Sequence, residues 1–163
     1  MSREHALAFE PFEGGRFRGE VASSHRPADV VEEVARLVDP TASIKTIHWG
    51  RNYIYAAEMR APAGDLPVVV KQFKNQGLKS RIDRRLKGSK AERSWRVAKE
   101  LVRVGLSTPE PLLWVESDAA EGPSFFVSRF LKRAVEVRQF FRRLNGVPVA
   151  DEFPEVDNEA FIG

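Results

Sequence analysis

The chain has 163 residues, 42% apolar and 30% charged, and its 26 Lys and Arg against 23 Asp and Glu leave a formal charge of +3. One modest core is within reach of that length, while every apolar run falls well short of the roughly 20 residues that cross a bilayer as a helix. With no cysteine, disulfides and thiolate metal sites are excluded.

The opening MSREHALAFEPFEGG carries acidic residues, a proline and glycines where an export signal needs a continuous apolar stretch. The expected location is therefore the cytoplasm. Residues 1–40 read as an irregular arm, with one short strand around Phe17, followed by a short helix. The spacing of Val30, Val31, Val34, Leu37 and Val38 predicts that helix over Ala28 to Val38, closed by Asp39 and Pro40.

The period then changes. Ile44 to His48, Tyr53 to Met59 and Leu66 to Phe73 are short and rich in β-branched or aromatic residues. They are separated by Gly50-Arg51-Asn52 and by Ala61-Pro62-Ala63-Gly64-Asp65, which predicts an antiparallel meander of three strands. A basic linker leads to Gly88–Gly105, where Ala91, Trp95, Ala98 and Val102 fall in a narrow arc at about 100° per residue, the signature of a helix. Ser89 and Glu92 have capping-box spacing, and Gly105 stands where a left-handed helix cap is expected. LLWVES and SFFVSRFL give two more strands. A second helix is expected from Ala134 to Leu144, before a proline-interrupted acidic tail. The fold class is thus α+β, an antiparallel sheet of about five strands packed by one long helix.

Charge is concentrated between Lys79 and Arg103, where ten Lys or Arg face only Asp83, Glu92 and Glu100. Such a segment favours an acidic partner, whether nucleotide, phosphorylated lipid, anionic membrane or nucleic acid, or is simply a solvated basic face. Because Trp95 lies inside the apolar arc of its helix, it reads as core and not as a base-stacking platform, which argues against nucleic acid. His5, His25 and His48 are scattered without metal-ligand spacing.

Three strands, a helix and two strands, together with VVVKQF and the Gly105, Thr108, Pro109 and Pro111 turn after the basic helix, resemble the N-terminal lobe of the lipopolysaccharide core kinases. These heptose and Kdo kinases have a protein-kinase-like fold. The likeness covers roughly residues 41–145, with residues 41–131 as the lobe and 132–163 as a hinge-following helix and the start of a second lobe. It implies ATP as nucleotide and transfer of its γ-phosphoryl group to a sugar hydroxyl of a lipopolysaccharide precursor, at or near an anionic membrane surface.

By that resemblance Lys71 would grip the nucleotide phosphates and Glu92 would be its helix carboxylate. Lys71 is otherwise an ordinary strand-end lysine, and Glu92 a helix-capping residue; related sequences place a carboxylate beside the tryptophan, where this chain has Ser94 and Arg96. Gly50, Arg51 and Asn52 would form a reduced phosphate flap, or merely a hairpin turn. Ile54 and Val69 would contact adenine, Ser128 would set the depth of its pocket, and the backbone of Arg129 and Leu131 would supply its hydrogen bonds. No HxDxxxxN or DFG-like segment follows Leu144, so magnesium is expected only with a further lobe, and this piece alone is expected to be inactive. A non-catalytic kinase-like module that binds a partner, or a basic nucleic-acid-binding domain, remain the alternative classes.

Overall fold

The computed structural model describes residues 7–50, 52–74, 78–119, 122–131 and 145–146. The chain divides into two compact units, residues 1–130 and 131–163, and all the elements below lie in the first. The helix expected from Ala134 to Leu144 falls outside the described residues.

The sheet grows from period-two segments. In β5 (Leu66–Phe73) Val68 and Val70 are fully buried, and each strand beside it shows the same alternation. β4 (Asn52–Met59) and β3 (Lys45–Trp49) complete the expected antiparallel meander on one side of β5. On the other side β7 (Ser124–Arg129) pairs with β5, and β6 (Pro111–Ser117) pairs with β7.

The sheet does not stop at five strands. The arm expected to be irregular forms a hairpin, β1 (Phe9–Gly14) and β2 (Phe17–Ala22), that joins the edge at β6. The observed order is β1-β2-β6-β7-β5-β4-β3, seven strands and antiparallel at every pairing. The physical reason is that β6 is buried along its whole length, which requires a neighbour on its outer edge to satisfy its backbone groups.

α1 (Val30–Leu37) is capped by the Asp29 carboxylate, which accepts from the Val31 and Glu32 N–H groups at 3.0 and 2.9 Å. It presses Val30, Val34 and Leu37 onto one face of the sheet, against a core that includes Tyr55, Val70, Val127 and Leu113. The Tyr55 hydroxyl, whose pKa is raised by burial, donates to the Leu37 carbonyl at 2.6 Å and ties the end of α1 to β4.

α3 (Lys90–Arg103) crosses the opposite face over β6 and β7. The expected caps are both present: Ser89 Oγ accepts from the Glu92 N–H at 3.1 Å, and Gly105 has φ of 77°. The basic linker before it is not extended chain but a third helix, α2 (Leu78–Lys87). Its leucines, lysines and arginines are all good helix formers, and Leu78, Ile82 and Leu86 recur at helical spacing.

Gly19 on β2 packs against the backbone of β6, where an added Cβ would lie 1.9 Å from the Trp114 carbonyl oxygen. A backbone atom cannot swing aside as a side chain does. Gly19→Ala is expected to cost about 1–3 kcal/mol through forced displacement of the β2–β6 pairing, read as a lowered urea midpoint, whereas Ala63→Gly in the exposed β4–β5 turn should shift it little.

Candidate functional site

Residues opposite one another in an antiparallel sheet point to the same side, and the side alternates along each strand. Lys71 is paired with Ile54 on β4 and Phe126 on β7; Val69 is paired with Ala56 and Ser128; Phe73 is paired with Asn52 and Ser124. Asn52, Ile54, Val69, Lys71 and Ser128 therefore share one face, the face that α3 crosses. These are five of the residues singled out from the sequence, gathered over three adjacent strands.

Within that face Phe73, Phe126 and Ser128 help line a groove of about 520 Å³ beneath α3, closed on the helix side by Lys90, Arg93, Ser94 and Val97. Lys71 Nζ lies 5.0 Å from the centre of the Phe73 ring. Among the described residues no carboxylate pairs with Lys71, Lys90 or Arg93. An anion entering here meets positive charge that no carboxylate among the described residues compensates.

Glu92 lies on the other flank of α3. It lines a second groove with Arg18, Glu20, Trp114 and Glu116 of β2 and β6, and its carboxylate forms an ion pair with Arg96 one turn on. Its backbone N–H completes the Ser89 cap. Among the described residues no ion pair joins it to Lys71. The flank of α3 turned toward β5 presents Ser94 in place of a carboxylate.

Trp95 sets that rotation. It is 1% exposed, and its indole N–H donates to Glu20 Oε2 at 2.7 Å while Lys99 Nζ donates to the same oxygen at 2.9 Å. Phe9 packs edge-on against the indole at 4.8 Å. Glu20 and Phe9 were not singled out by sequence reasoning, because the only signal was a buried tryptophan that needs an acceptor for its N–H.

Of the remaining candidates, Gly50 opens the β3–β4 turn, where an added Cβ would meet the His48 ring at 2.7 Å, and Arg51 lies outside the described residues. The Arg129 side chain is on the α1 face, held by Glu110 at 2.7 Å, and its N–H donates to the Glu110 carbonyl. Leu131 begins the second unit and is exposed. Among the described residues no group of three His, Asp or Glu side chains is spaced to hold a metal ion.

No family model, curated protein or solved structure matches this chain.

Burial pushes the Glu20 carboxyl up, but the Lys99 and Trp95 hydrogen bonds outweigh it and hold the group below the usual carboxylate range. The unfolded chain then binds more protons in acid, so stability rises with pH through that range. The contribution is complete above the ordinary carboxylate pKa and is lost as pH falls through the depressed folded value. Glu20→Gln should lower stability by about 1 kcal/mol at neutral pH, a figure reduced for partial exposure. Urea titrations of the two proteins should converge in acid.

Proposed function

We propose that this chain is the nucleotide-binding lobe of a kinase-like protein. ATP would lie on the sheet face that carries Lys71, and the parent reaction would be transfer of the γ-phosphoryl group to a sugar hydroxyl of a lipopolysaccharide precursor. The observation that carries the reading is the convergence of Asn52, Ile54, Val69, Lys71 and Ser128 on one face. Residues chosen for separate roles toward one ligand would scatter over both faces if the strand register were unrelated to that ligand.

The chemistry agrees with the placement. Ile54 and Val69 offer apolar contact for a base, and Lys71 offers a compact charge for phosphate oxygens with no carboxylate among the described residues to compete for it. The acceptor sugar comes from the family resemblance alone. A lipid-borne acceptor would also suit the basic segment between Lys79 and Arg103.

A second reading, a non-catalytic kinase-like module, is favoured by the pairing of Glu92 with Arg96 on the far flank of α3. A lysine without its helix carboxylate can attract phosphate but is less firmly positioned for catalysis.

An amide chemical-shift titration of the ¹⁵N-labelled chain with ATP tests the nucleotide reading. Weak, saturable shifts are expected along Asn52, Ile54, Val69, Lys71 and Ser128, with the α1 face unaffected. Lys71→Met should weaken them about tenfold, the equivalent of one charge-assisted contact. Shifts confined to the α1 face, or none, would remove the nucleotide reading.

A further inference from the structure

We propose that α2 is a docking helix for an anionic lipid bilayer, with Ile82 and Leu86 as the inserting side chains. The inference does not depend on the nucleotide reading and stands if that reading fails.

An ordinary surface helix turns its apolar side inward and its charges to water. In α2, Arg84 and the pair Ile82 and Leu86 do the reverse. Arg84 points into the protein, donating to the carbonyls of Ala119 and Gly122 at 3.0 and 3.4 Å and to that of Ser117, with its Nε 3.4 Å from the buried Glu116 carboxylate. Ile82 and Leu86 each lie two residues from Arg84, about 200° around the axis, and so occupy the opposite side. They are 51% and 76% exposed, and as an i,i+4 pair they adjoin. Arg85, also exposed, stands on the flank of that apolar pair.

Charge decides what covers this pair. The helix sequence carries five Lys or Arg against one Asp; Arg84 is turned inward, while Arg85 and Lys87 are exposed beside the pair. A surface of that sign is complementary to an anionic leaflet. Two apolar side chains alone give weak attachment, and so do a few charges; together they provide the two signals that hold a peripheral protein at an interface. The arrangement suits lying on a surface and not crossing it, since no described helix is long and apolar enough to span a membrane.

A helix of ten residues is marginal by itself in water. Here Arg84 holds it in place before any lipid arrives, so docking need not first order the helix.

The native chain has no cysteine, so Leu86→Cys creates a single labelling position for an environment-sensitive fluorophore. With phosphatidylglycerol vesicles the probe's emission should shift to the blue; with phosphatidylcholine vesicles, or with the probe at Ala63→Cys, it should not. In co-sedimentation the double variant Ile82→Ser, Leu86→Ser should lose about tenfold or more in vesicle affinity, and Arg85→Glu should weaken binding in a salt-dependent way, both with unchanged thermal unfolding. Equal binding to neutral vesicles, or full binding by the double variant, overturns the proposal. So does a lowered unfolding temperature of the double variant, which would mean the chain itself covers the pair, or self-association of the unaltered protein that the double variant abolishes.

Discussion

The contact between the Trp95 indole and the Glu20 carboxylate fixes more of this structure than any other. A tryptophan buried to 1% exposure must find an acceptor for its N–H, and none of the apolar residues beneath α3 can be one. β2 supplies it. Meeting that requirement holds the β1–β2 hairpin beside β6, brings Phe9 against the indole, and gives Lys99 a carboxylate to answer. The hairpin is thus joined to the sheet through its backbone on one side and to α3 through side chains on the other.

Once Trp95 is fixed, the rotation of α3 is fixed, and with it the division of labour between its flanks. Helical geometry sends Glu92 to the β2–β6 side and Ser94 toward β5. The result is electrostatic sorting. Arg18, Arg84 and Lys99 are neutralised by Glu116 and Glu20 on one side of the helix, whereas Lys71, Lys90 and Arg93 on the other have no carboxylate among the described residues. The +3 formal charge of the chain says little about this; what matters is that the acids are spent on the side away from the groove.

Much of this arrangement was legible in the sequence wherever periodicity and capping agreed. Leu66–Phe73 was bounded correctly because a β-branched run of three valines lies between a turn on one side and a polar stretch on the other. α3 was legible through its apolar arc and its Ser89 and Gly105 caps. The hairpin was not, because Phe9–Ala22 mixes glycine, proline and charge, and its strand character comes from pairing with the buried edge of β6. α2 was missed although its residues favour helix and Leu78, Ile82 and Leu86 recur at helical spacing, because the basic residues between them read as a charged linker. For the candidate site, the shared face of Asn52, Ile54, Val69, Lys71 and Ser128 depends on cross-strand register, which local sequence does not encode. The flank taken by Glu92 depends on a contact 75 residues distant in sequence, between Trp95 and Glu20.

The two missed elements belong to one construction. Glu116 on β6 receives Arg18 from the hairpin and Arg84 from α2, and it is buried to 1% exposure. A carboxylate in that position would be costly without both cations, and each cation would be poorly held without it. The hairpin and α2 are therefore coupled through a single side chain. Removing charge from Glu116 would loosen the edge of the sheet and release α2 together, while the register of β4, β5 and β7, and hence the face built around Lys71, rests on separate backbone pairing and on the α1 core.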